Sequence, residues 1–111
     1  MATYSDIFID QGSTYASTID VLDVNGLPFD LSGYSARGQI RKTYASANAI
    51  DFTTNINDPE TGKVHISLTA AQTRVMKPGR YVYDVEIYNS GGNVIRISEG
   101  QVEISPATTR P

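Results

Sequence analysis

His65 is the one histidine of the chain, and it caps the acid–base chemistry on offer, because a Ser–His–Asp arrangement needs an imidazole base. It sits in Lys63-Val64-His65-Ile66-Ser67-Leu68, where Val64, Ile66 and Leu68 alternate with polar neighbours. That period puts His65 on the wet side of a regular strand, whereas bases and nucleophiles gather at pockets and strand ends. Asp84 and Glu86 share a strand face about 7 Å apart, with Glu103 on a neighbouring strand. Such a pair suits glycoside hydrolysis only where a groove raises one pKa; otherwise it is surface charge. The absence of cysteine removes thiolate nucleophiles, Cys-ligated zinc and disulfides together. Oxygen ligands remain in Asp20, Asp23 and Asn25, and in Asp58 and Glu60, but neither group has the EF-hand spacing and both have turn composition. Ser90-Gly91-Gly92-Asn93 joins two strands rather than a strand to a helix start, so it is a hairpin loop and not a phosphate cradle. No catalytic residue, metal or cofactor is assigned.

Arg37, Arg41 and Lys42, with Tyr44 close by, form the one basic and aromatic group. Three cations on a chain of formal charge -3 favour a protein contact or a wet face over nucleic acid, which a net acidic surface repels. Anionic membranes are disfavoured for the same reason, and no apolar run approaches the roughly 20 residues that span a bilayer. The chain opens at Met1 with no basic region ahead of an apolar run, so folding in a cytoplasm is expected.

These residues must be positioned by strands, because period-two alternation recurs along the chain and helical periodicity is nearly absent. Seven runs carry it: residues 6–10, 15–23, 34–42, 50–56, 63–69, 80–88 and 94–104. Ile7 and Ile9 flank Phe8 in the first, Ile50, Phe52, Thr54 and Ile56 line one side of the fourth, and Tyr81, Tyr83, Val85 and Ile87 share a face of the sixth. Residues 27–33 hold too many turn formers for a central strand and read as a crossing loop. Thr69-Ala70-Ala71-Gln72 has capping-box spacing and predicts one or two helical turns, stopped near Lys77-Pro78-Gly79. In the last run the inward set moves from Ile95 and Ile97 to Val102 and Ile104, a change of phase that a β-bulge around Gly100 would produce.

The expected architecture is an all-β, immunoglobulin-like two-sheet sandwich of about seven strands, with one short helical turn before the sixth. One domain spans residues 1–105, and residues 106–111 form a loose tail. Tyr81, at the entry of the sixth strand, either satisfies a backbone group as a structural corner or packs in the core.

Several segments in this order are familiar: Gly12, residues 24–34 (Val-Asn-Gly-Leu-Pro-Phe-Asp-Leu-Ser-Gly-Tyr), Thr61-Gly62-Lys63-Val64, Leu68-Thr69, residues 78–85 (Pro-Gly-Arg-Tyr-Val-Tyr-Asp-Val) and residues 99–106. The chain resembles a family of small virion proteins of tailed phages of marine bacteria and cyanobacteria, which is similar to the amino-terminal domain of phage baseplate upper proteins. The likeness covers nearly the whole chain and rests mostly on turns and core positions. It implies an immunoglobulin-like building block of a virion. In the baseplate relatives such a domain attaches a larger receptor-binding assembly. Here no fibre or coiled coil follows within the sequence, so a head decoration, a neck or tail component and an adaptor are equally open.

With no pocket chemistry, activity is expected to lie in surfaces. The candidate interface residues are Tyr4, Ile7, Phe8, Arg37, Arg41, Tyr44 and Tyr88. Residues 2–10 are expected to add as a strand to another subunit's sheet edge, so a chain without residues 1–10 should fold and yet fail to join particles. The expected partners are other virion proteins and further copies of this chain, without nucleic acid or membrane. A glycan is the alternative partner, since exposed tyrosines can stack on sugars. An enzyme is the least supported class.

Overall fold

Alternation of apolar and polar residues is carried out almost to the letter in a computed structural model of the protein, which describes residues 2–109. Nine strand segments form: β1 (Thr3–Tyr4), β2 (Ile7–Asp10), β3 (Tyr15–Asp20), β4 (Tyr34–Arg41), β5 (Ile50–Asp51), β6 (Thr53–Asn55), β7 (Lys63–Leu68), β8 (Gly79–Asn89) and β9 (Val94–Ser105). Among the described residues one short α-helix, α1 (Ala70–Arg74), precedes β8, and a 3-10 turn covers Pro59–Thr61. Taking β1 with β2 and β5 with β6, the segments reduce to the seven expected runs. They build a large sheet in the order β1-β9-β8-β4-β5, with β2 also on β9, and a small sheet in the order β3-β7-β6. The protein is therefore an all-β sandwich with the strand pairing of an immunoglobulin-like domain.

Each sheet buries one face in the other. The large sheet contributes Ile40, Tyr83, Val85, Ile87, Val102 and Ile104, and the small one Val64, Ile66 and Leu68, all nearly free of solvent contact. Leu31, Phe52 and Met76 close the core from the connections. The Thr69 side chain accepts from Gln72 N, and the Gln72 side chain accepts from Thr69 N, so the capping box is present in both directions. Buried Thr73 pins this helix to the β2–β3 turn by donating to Ser13 O at 2.8 Å and accepting from Gly12 N at 3.0 Å. Among the described residues no helix is long and apolar enough to cross a membrane.

Three expectations are corrected. The opening segment is not a free strand: β1 and β2 lie parallel along β9 of the same chain, with Ile7 opposite Val102 and Ile9 opposite Ile104. The run at residues 50–56 is not one strand of one sheet. Ile50–Asp51 pairs with β4, and Thr53–Asn55 pairs with β7, so the chain changes sheets at Phe52. The register shift of β9 falls between Val85 and Glu86 of its partner, where Ile97 is passed over, and not at Gly100. Gly100 answers a different demand, since a Cβ there would run into the Ser5 carbonyl where β1 hands over to β2. At the other terminus the tail is tethered at its root, Ala107 N donating to Gln11 Oε1 at 3.1 Å. Met1 and residues 110–111, the end of the expected tail, lie outside the described residues.

Candidate functional site

Residues paired across neighbouring strands point to the same side, so the register of the large sheet lays out its outer face in rows. One row runs Phe8, Glu103, Arg80; a second runs Tyr4, Glu99, Asp84, Gln39, Asp51; a third runs Arg96, Glu86, Arg37; a fourth runs Val94, Tyr88, Ser35. Opposite charges alternate within the first and third rows, while the second carries carboxylates only and draws its arginine from the third. Arg37 pairs with Glu86, Arg96 reaches both Asp84 and Glu99 at 3.5 Å, and Arg80 stands 4.0 Å from Glu103. All three carboxylates weighed as a glycosidase pair are thus neutralised by arginines on an open sheet. Each exposed pair stabilises the fold by only about 0–1 kcal/mol.

The candidate interface residues meet on this face, with one exception. Tyr4 and Phe8 stand out from the edge strands with 66% and 71% of their surface exposed. Tyr44 belongs to the β4–β5 loop and lines, with Gln39, Arg41, Val82 and Asp84, a hollow of about 180 Å³. Arg41 fixes that loop by donating to Ser46 O at 2.6 Å and to Gln39 Oε1 at 2.8 Å. The Tyr4 phenol is held above its ordinary range, first by loss of water around it and next by the Asp6 carboxylate, with Tyr44 and Glu99 adding in the same direction. Tyr4, opposite Glu99, and Tyr44, beside Asp84, therefore stand on the same outer face. Tyr88 is half-buried, its ring lying 4.3 Å beneath the Arg37 guanidinium, so it supports the face more than it protrudes.

Ile7 is the exception and a correction. It is 7% exposed and packs in the core with Ile9, because two isoleucines one residue apart share a face and leave Phe8 to point outward. Tyr81 donates its hydroxyl to Lys77 O at 2.8 Å, four residues upstream, while Lys42 Nζ lies 4.8 Å from the ring centre. Lys42 also donates to Arg80 O at 2.9 Å, which ties it to the sheet rather than freeing it for a ligand.

The remaining candidates are dispersed. His65 faces outward on the small sheet, Nδ1 lying 2.9 Å from Thr18 Oγ1 across to β3. Asp20 pairs with Lys63, and Asp23 accepts from Asn25 N and Leu27 N to close the turn after β3. Among the described residues no group of three metal-ligating side chains converges. Sequence reasoning missed an apolar group in the β3–β4 connection, where Leu22, Val24 and Leu27 are 57%, 101% and 59% exposed. Its signal was three large aliphatics inside a segment otherwise made of turn residues.

No family model and no curated protein matches this chain. Among solved structures, an internalin-like protein of Listeria monocytogenes aligns over 94% of this chain at 17% identity and a TM-score of 0.49, the chain spanning 28% of that protein's length. The N-terminal domain of phage TP901-1 ORF48 aligns over 91% of this chain and 85% of its own length, at 12% identity and a TM-score of 0.56. At that identity the likeness is one of fold: the chain is similar to a domain of a phage protein that has the same sandwich architecture.

Proposed function

We propose that this domain is a structural contact module of a tailed-phage particle, present in many copies and joined to other virion proteins through the outer face of its large sheet. The observation that carries the reading is the convergence of Tyr4, Phe8 and Tyr44 on one side, amid paired arginines and carboxylates. Exposed aromatics framed by charges have the composition of protein interfaces, in which aromatic anchors supply the energy and charges fix the register. The likeness in fold to a phage protein domain, and the resemblance of the turn segments to virion proteins, give the setting. The same resemblance leaves tail, neck, baseplate, fibre attachment and head decoration as the positions to be distinguished.

Particles assembled with Tyr4→Ala/Phe8→Ser/Tyr44→Ala chain test this directly. Incorporation, counted by mass spectrometry of purified particles, is expected to fall at least tenfold while the free domain melts within a few degrees of wild type. Undiminished incorporation would refute the assignment of the face. Copy counting in the same experiment separates a head surface, with hundreds of copies, from a tail or baseplate site with a few to a dozen. A glycan-binding role is the second reading, favoured by Tyr44 lying beside the Gln39 amide and the Asp84 carboxylate, the mix of flat ring and polar groups that holds a sugar. A glycan array without hits would end that reading.

A further inference from the structure

β9 has β8 along one side for its whole length, and β2 and β1 along the other for most of it. The second ladder ends with Thr3 opposite Ser98. Among the described residues, therefore, residues 94–96 have a strand on one side only. An edge of this kind presents unpaired main-chain donors and acceptors and is a template for a further strand. Proteins blunt such edges with proline, charged side chains, a covering loop, a bulge or by keeping them short, and the bulge at Ile97 borders this one. Here the sequence is Val94-Ile95-Arg96, and its one charge is already held by Asp84 and Glu99.

Beside this edge the sandwich is open. The β3–β4 connection stands off from the large sheet and leaves a groove of about 450 Å³, floored by Ile87, Ile95 and Ile97 and walled by Val21, Val24 and Phe29, with Thr3 at its mouth. Leu22 and Val24, which line it, and Leu27 of the same connection are each more than half exposed. Their combined area is a few hundred Å², ordinary for a single apolar patch on a monomer. It is short of the roughly 800 Å² that each partner gives to a stable interface between globular subunits. One added strand needs less area, because main-chain hydrogen bonds carry part of its affinity.

We infer that this groove is a strand-acceptor site, which takes an extended segment of a neighbouring polypeptide with bulky apolar side chains at alternate positions. The segment continues the ladder on β9 beyond the point where β1 stops, and its inward side chains fill the space over Ile95 and Ile97. β1 and β2 already use this edge, with Ile7 and Ile9 inward and Phe8 outward, so the chemistry required of the guest is displayed by the chain's own residues. The site is distinct from the outer face of the large sheet.

The test titrates the ¹⁵N-labelled full chain with a seven-residue alternating Val–Thr peptide, blocked at both ends, to roughly 5 mM, the range in which a weak strand contact is read. A Gly–Ser peptide of equal length is the control. Expected are shift changes confined to residues 21–29 and 94–97, amide exchange at residues 94–96 slowed at least tenfold, and no response to the control. Val24→Asp, placed at a fully exposed position, should weaken binding by about tenfold or more without altering the melting temperature. The inference is overturned if no shifts respond, if they fall around Tyr4 and Tyr44 instead, or if the same residues shift with protein concentration alone, which would identify a second copy as the occupant.

Discussion

Tyr83 shows how a single side chain ties the opening segment to the core. Its hydroxyl donates to Ser5 O and lies 3.1 Å from Ser98 Oγ, inside a sandwich where the residue is 5% exposed. Removing it leaves a carbonyl without its partner, so Tyr83→Phe should cost about 1–2 kcal/mol, or roughly 4–8 °C in melting temperature by calorimetry. Burial pushes the Tyr83 phenol up, and hydrogen bonds to Ser98 and Ser5 only partly offset it. Burial raises Tyr15 and Tyr81 as well. For a group raised in the folded state, stability is present in full below the unfolded pKa of about 10 and is lost as pH climbs through the folded value. Melting temperature should thus fall above about pH 10, and the gap between wild type and Tyr83→Phe should narrow there. A gap that widened with alkali would show that the buried phenol is not the titrating group. Gly100, next along this contact, has no room for a methyl group against the Ser5 carbonyl. Gly100→Ala is expected to destabilise by about 1–3 kcal/mol, whereas Gly26→Ala, which meets no atom within 4 Å, has only its positive φ of 78° to strain it.

At the scale of elements, the helical turn was the most legible feature and the sheet change the least. Thr69 and Gln72 announce their roles by type and spacing, because a capping box is a local exchange of hydrogen bonds. Thr69→Ala should cost about 1 kcal/mol, seen as a lowered denaturant midpoint with an unchanged slope. A changed slope would mean that the helix docks through Thr69 and is not merely capped by it. The passage from β5 to β6 leaves no such mark. Ile50, Phe52, Thr54 and Ile56 hold one phase throughout, and a strand that crosses from sheet to sheet keeps the same residues turned towards the core. Alternation records which side is inward and is blind to which sheet does the pairing. The bulge was half legible. The change of phase in β9 is real, but a flanking glycine drew the eye to Gly100, while the extra residue sits at Ile97 beside the unremarkable Ser98. Of the candidate site, the exposed positions of Tyr4 and Tyr44 followed from the sequence, whereas Tyr88, expected exposed with them, is half-buried. Phe8 was not separated from inward Ile7, although alternation lets only one of the two face outward. The convergence of Tyr4, Phe8 and Tyr44 was not legible, because it depends on parallel pairing of the first strand with the last and on a loop held down by Arg41.

For the molecule as a whole, that first-to-last pairing decides which experiments can probe function. A chain lacking residues 1–10 would lose Ile7 and Ile9, at 7% and 3% exposure, together with the whole strand that covers residues 98–105 of β9. Truncating one buried isoleucine costs about 2–5 kcal/mol, and a domain of this size has roughly 5–15 kcal/mol in total. Losing two, with their ladder, should abolish the cooperative melt and bare a long apolar edge prone to aggregation. Circular dichroism and size-exclusion chromatography of residues 11–111 check this. A truncated chain that stayed monomeric and melted within a few degrees of the full one would mean that the opening segment is an exchangeable arm, and the strand-donor role first expected of it would return. If the truncated chain instead unfolds, its failure to enter particles says nothing about contacts. The outer face then has to be probed by substitutions at Tyr4, Phe8 and Tyr44, whose side chains the core does not need.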